Sequence, residues 1–149
     1  MSRPTSPERL IVAGVDGSPA SADALRWAAR QAELTGAELR AVSSWRWPNY
    51  ITVKPPGLDL AADTERTLDE LVDQLLADHP GLTVTRRVVE GPPGPVLLAQ
   101  ADGAELLVVG ARGRAAFAGM LLGSVAEYCV RNGDCPVVVV RAGTQPADA

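Results

Sequence analysis

Between Leu106 and Tyr128 the chain reads LLVVGARGRAAFAGMLLGSVAEY. An apolar run ends at Gly110, a second glycine follows at Gly113, nine residues intervene, and Gly123-Ser124 stands at the head of a helical pattern. The order is strand, glycine-pinned loop and helix N-terminus. Glycine reaches backbone angles that other residues avoid and lets a ligand approach the main chain. The first turn of a helix offers unpaired N–H groups and a partial positive charge. Such a segment suits an anion, phosphate above all. A purely structural reading stands beside it, because Ser124-Val125-Ala126-Glu127 fits the S-x-x-E capping box, in which serine and glutamate satisfy each other's backbone donors. A cap explains neither Gly110 nor Gly113. The spacing is not a Walker loop, since no Gly-Lys-Ser/Thr follows, and the G-x-G-x-x-G of dinucleotide folds is absent. A phosphate here would be held by backbone amides and a hydroxyl, with Arg112 and Arg114 able to swing onto it.

The other residue whose type and place could do chemistry is Asp16, at the end of the apolar run Leu10 to Val15. It could accept hydrogen bonds from ribose hydroxyls, or it could be a turn-forming residue of Asp16-Gly17-Ser18-Pro19. His79, the single histidine, falls at an apparent helix end, where a cation favours the dipole. Cys129 and Cys135 lie six apart with no clustered histidine, which fails zinc spacing, and they read as buried small hydrophobes.

Composition narrows the classes further. A chain of 149 residues is one domain's worth. Its formal charge of −4 argues against an extended nucleic-acid footprint. Hydrophobic residues make up 46% of it, yet they never run for the roughly 18 positions that a membrane span needs. MSRPTSPER lacks the apolar stretch of a signal peptide, so the expectation is a cytoplasmic protein with no membrane partner.

These residues need a frame to hold them. Leu10 to Val15 predicts a strand covered on both faces. Ser18 as N-cap and Pro19 at the first position predict a helix to Leu34, which Thr35-Gly36 ends. Glu38 to Ser44 predicts a second strand. Trp45, Trp47 and Tyr50 follow in a Pro/Gly-containing loop to about Gly57, with packing beneath the loop expected of them ahead of covering a base. A helix over 60–77 carries the stripe Leu68, Leu71, Val72, Leu75 and Leu76, its acidic opposite face expected to be solvated. Leu82 to Val89 predicts a less buried strand, Pro95 to Ala101 a short helix, Leu106 to Val109 a central strand, Ser124 to about Arg131 a helix, and Val137 to Val140 the last strand. Five strands alternating with four helices imply a three-layer α/β/α sandwich, Rossmann-like, with a mainly parallel sheet. The domain spans 9–141, with tails at 1–8 and 142–149.

At this point the chain resembles a family. Gly110-x2-Gly113-x9-Gly123-Ser124, preceded by LLVVG and followed by CPVVVV, resembles the nucleotide-binding branch of the universal stress protein family, and IVAGVDGS, Ile11 to Ser18, resembles that family's first strand and turn. The resemblance implies strand order 3-2-1-4-5, which brings Asp16 and Gly110 to one crevice. It implies that Gly14 and Val15 flank a base, that the main chain near Ser44 reads its edge with Val109 beneath, that Gly110 faces the ribose, and that Gly113, Gly123, Ser124 and Val125 sit at the phosphates. Gly14 and Ser44 depart from the family's bulkier or more apolar residues there. The expected ligand is ATP, alone or with Mg2+, in a stress-response regulatory homodimer built on Val137 to Val140.

The alternatives are a cyclic AMP binder, which would use the same glycines for one phosphate, and a weak nucleotide hydrolase. An amide cradle places no general base, so turnover is expected to be slow or absent. Neither the acidic cluster with facing lysine of a response regulator nor the hydroxyl-rich first loop of a flavodoxin is present.

Overall fold

The computed structural model describes residues 9–113 and 119–143. β1 is Leu10–Gly14, α1 Pro19–Thr35, β2 Glu38–Trp45, α2 Leu60–Asp78, β3 Val84–Glu90, α3 Pro93–Gln100, β4 Leu106–Gly110, α4 Ser124–Asn132 and β5 Val137–Val140. The five strands form one parallel sheet in the order β3-β2-β1-β4-β5.

Alternation along the strands sends side chains to two separate cores. Ile11, Ala13, Val15, Leu39, Ala41, Val108 and Val140 pack under α1 and α2. Val12, Val42, Leu107 and Val109 pack under α3 and α4 with Val96, Leu97, Ala126 and Cys129. The result is the expected sandwich. The central strands β1 and β4 are wrapped on both faces, so the continuous apolar runs are what burial there requires.

The caps decide where the helices start and stop. The Ser18 hydroxyl accepts the Ser21 N–H at 3.2 Å, and Pro19 takes a position whose N–H would be unpaired in any case. α1 ends at Gly36, whose φ of +74° suits only glycine and whose N–H returns to the Ala32 carbonyl. In α2 the stripe holds: Leu68, Val72 and Leu75 are buried, while Leu71 and Leu76 pack at its margin. His79 is the C-cap of α2, and its ring pairs with the Glu33 carboxylate of α1.

Two boundaries differ from the sequence reading by two residues, the others by one at most. α3 begins at Pro93, not Pro95, because a first turn has no partners for its N–H groups and tolerates both prolines. β3 begins at Val84, since the Leu82 N–H bonds back to the His79 carbonyl at 3.1 Å in a turn. Cys129 is fully buried, and both cysteines are free. Burial pushes the Cys129 thiol up to about 11, so it stays neutral and behaves as a small hydrophobe. No helix among the described residues is long and apolar enough to cross a membrane.

Candidate functional site

Strand order reverses between β1 and β4. β1 leads into α1 on one face, and β4 leads into α4 on the other, so their C-terminal ends part and leave a crevice. Its volume is about 650 Å³. Of the residues singled out from the sequence, Gly14, Val15, Asp16, Ser44, Val109, Gly110, Arg112, Ser124 and Val125 line it. Gly113 and Gly123 are not among its lining residues. Arg114 lies outside the described residues.

β1 delivers Asp16. The Val15 N–H bonds to the Val42 carbonyl at 2.8 Å, extending the pairing of β1 with β2. The chain then turns through Gly17, φ +82°. Asp16 Oδ1 accepts the Ser18 N–H at 2.9 Å and the Ser18 hydroxyl. The Asp16 N–H in turn donates to Ser21 Oγ at 3.2 Å. The turn-forming role of Asp16 is therefore real. It occupies Oδ1, and the same carboxylate lines the crevice.

β4 delivers the loop. The Ala111 N–H bonds to the Val140 carbonyl at 2.7 Å, and the Gly123 N–H bonds to the Ala111 carbonyl at 2.6 Å. These two bonds pinch the loop at its neck and fix where α4 begins. Gly123 is the N-cap, with φ −68° and ψ 158°, and no side chain among the described residues caps the helix. The capping-box reading is thereby overturned. A box needs serine at the N-cap, whereas Ser124 is already the first helical residue. Glu127 falls one place too late to reach back, and its carboxylate pairs with Arg131 at 2.9 Å. Among the described residues, no side chain bonds to the first-turn N–H groups of α4 at the wall formed by Ser124 and Val125.

The glycines have reasons other than ligand approach. A Cβ at Gly110 would meet the backbone of Ala20 and Ser21 at 2.8 and 2.9 Å, so β4 and the first turn of α1 touch there. A Cβ at Gly123 would crowd the Ala111 carbonyl oxygen at 3.1 Å and Arg112 Cα at 3.2 Å. A Cβ at Gly14 would meet only the movable end of Leu97, at 2.8 Å.

Sequence reasoning missed the wall opposite. Asp63, Thr64 and Thr67 of α2 line the crevice, so part of the face expected to be merely solvated looks into it. The signal was available: Leu60, Thr64 and Thr67 follow one another at helical spacing, beside the stripe. Arg46 was missed as well. It lines the crevice, and like Arg112 it forms no ion pair among the described residues. The aromatics divide. Trp45 lines the crevice, Trp47 carries Lys54 over its ring at 5.4 Å, and Tyr50 is 84% exposed, against the expectation that it packs beneath the loop.

The fold and site define a doubly wound α/β domain with an open helix N-terminus at its switch point. Residues 8–141 match the model of the universal stress protein family, and the chain belongs to that family. It is 36% identical over 154 residues to a universal stress protein of Mycobacterium tuberculosis, covering 97% of this chain and 48% of that one. A second from the same organism is 37% identical over 134 residues, covering 88% and 45%. The chain thus spans about half the length of the curated relatives it matches. Among solved structures, a universal stress protein in complex with cAMP matches with TM-score 0.71 at 28% identity, covering 93% of this chain and 100% of that one. One from Archaeoglobus fulgidus in complex with dAMP has TM-score 0.62 at 21% identity, covering 89% and 97%, a likeness of fold.

Gly110→Ala should destabilise the domain by about 1–3 kcal/mol, because its neighbours are backbone atoms that cannot step aside. Denaturant unfolding measures this, and an unchanged midpoint would contradict the contact.

Proposed function

We propose that the crevice binds ATP and that the protein is a nucleotide-dependent regulatory member of its family, with slow or no turnover. The observation that carries this reading is the uncapped N-terminus of α4 at a crevice that also holds Asp16. Unpaired first-turn amides and the helix dipole favour phosphate, while a carboxylate at the end of β1 favours sugar hydroxyls. Gly14, Val15, Ser44 and Val109 would enclose the base, Gly110 the ribose, and Ser124 and Val125 the phosphates. Arg46 and Arg112 supply mobile positive charge at the rim. Mg2+ would ride with the nucleotide, since no group of three ligating side chains is found among the described residues. Binding through fixed amides stabilises ground-state phosphate and gives no acceleration by itself.

A second reading, cyclic AMP, is favoured by the solved relative that holds it. Direct competition between the two nucleotides separates them.

Ser124→Pro tests the amide cradle. Proline fits the first helical position, and Gly123 already has the extended backbone that must precede it. The change deletes one N–H with the helix intact. ATP affinity should fall about tenfold or more, as for a hydrogen bond to a charged group, with adenosine affinity kept and Ser124→Ala separating the hydroxyl's share. Calorimetry giving equal ATP affinity for wild type and a folded Ser124→Pro variant would refute the cradle.

We also propose a homodimer through β5. The two sheet edges differ. On β3, Arg87 and Glu90 are exposed, and Arg86 is paired with Asp69 and Asp73, both at 2.8 Å, so charge guards that edge. β5 is four valines, of which Val137, Val138 and Val139 are half-buried and Val140 is held under α1. The carbonyls of Pro136 and Val140 accept from Leu107 and Ala111, so by strand alternation Val137 and Val139 turn their N–H groups outward. Pairing with a symmetry mate would satisfy them. Val139→Pro removes an outward N–H and spares the bonds to β4. Light scattering should show a dimer for wild type and a monomer for the variant; a monomeric wild type, or a dimeric variant, rules this edge out.

A further inference from the structure

Gly14 is a glycine with no backbone reason to be one. It closes β1, paired with Val42 of β2, and its φ is not positive, so other residues could adopt its conformation. Glycine inside a strand weakens it and marks a place that another group approaches closely. Here the group is Leu97 of α3. Among the described residues, the atoms nearest the space of a missing Cβ all belong to its side chain: Cδ1 at 2.8 Å, Cδ2 at 3.2 Å and Cγ at 3.6 Å. Alternation along β1 turns Gly14 to the same face as Val12, and Leu97 fills the place over the end of the strand.

Leu97 is at once core and crevice wall. It is 5% exposed and shares a core with Val42 and Val109, and these three side chains line the crevice beside Gly14. An apolar wall of this kind receives an aromatic base and offers nothing to phosphate. Its helix has little room to retreat. The Gly91 N–H, just before α3, donates to the Trp45 carbonyl at 2.9 Å, and Arg40 Nη1 donates to the Gln100 carbonyl at 3.0 Å, so both ends of α3 are tied to β2. The interior around it is close-packed, with Val12 and Leu107 wholly inaccessible. A Leu97 tip displaced from Gly14 therefore moves into the crevice.

We infer that Leu97 is a specificity-determining residue that sets the size of base this crevice accepts, and that Gly14 gives it the room to stand back. The inference rests on the reading that the crevice takes a nucleotide. It assigns selection by base size to α3, an element that carries none of the glycine motif.

The test is calorimetric titration with adenosine, with ATP and with adenosines that carry a phenyl group at C2 or C8 or a benzyl group at N6, each variant's thermal unfolding being recorded alongside. Gly14→Ala, which drives the Leu97 tip inward, should weaken adenosine and ATP by the same factor, about tenfold, and should cost nothing further once Leu97 is alanine. Leu97→Ala opens the wall and should bind at least one enlarged adenosine about tenfold more tightly than wild type does, a gain that loss of stability cannot produce. Unchanged adenosine affinity in Gly14→Ala, a loss confined to ATP, a loss that persists beside Leu97→Ala, or no gain for any enlarged adenosine would overturn the inference while leaving nucleotide binding standing. If Leu97→Ala does not fold, Leu97→Val takes its place on the same criteria, and if Gly14→Ala does not fold, the Leu97 variants decide. If folded wild type binds neither adenosine nor ATP, the nucleotide reading fails and this inference fails with it.

Discussion

The crevice depends on one pairing, that of β1 with β4. Ile11, Val12 and Ala13 lie beside Leu106, Leu107 and Val108, so the strands end together and the chain leaves them towards opposite faces. Everything at the site is a consequence. Asp16 and Ser124, far apart in sequence, reach one cavity only because these two strands are neighbours. The pairing is held by burial: Val12, Ala13, Leu107 and Val108 are wholly inaccessible, with cores above and below. Gly110 makes the contact closer still, since its lack of a Cβ lets the end of β4 rest on the first turn of α1.

On that frame the two sides of the crevice differ in how their polar groups are satisfied. The β1 side is closed upon itself. Asp16, Ser18 and Ser21 bond to one another and start α1 with a complete cap. The β4 side has glycine at the N-cap of α4 and, among the described residues, no side-chain cap. The same device, a strand running into a helix, is finished by a serine hydroxyl in one case and left for something else in the other. That asymmetry is the physical basis for placing an anion at α4 and not at α1.

Much of this was legible in the chain. The strands, the α1 caps and the α2 stripe follow from periodicity and from serine, proline and glycine at helix ends. The order of the strands did not follow from the residues, since adjacency is set by long-range burial, and it came only from the resemblance to a family. Ser124-x-x-Glu127 misled for a local reason: the Gly123 N–H bonds back to Ala111, and this fixes the helix start one residue earlier than a box requires. The glycines of the motif were read as room for a ligand; at Gly110, Gly113 and Gly123 the place of a missing Cβ is bounded by neighbouring atoms of the protein, a second demand for glycine that the chain alone does not show. The α2 wall went unread because Thr64 and Thr67 look like interruptions of an amphipathic pattern until the sheet places them above β2. Tyr50, though aromatic, is exposed, which residue type alone does not foretell.

The central claim, that the crevice takes an adenine nucleotide, is tested most directly by calorimetric titration of the purified, nucleotide-stripped protein. The account predicts saturable binding of one ATP per chain. Absence of binding by either ATP or cyclic AMP, with the protein shown to be folded, would contradict it.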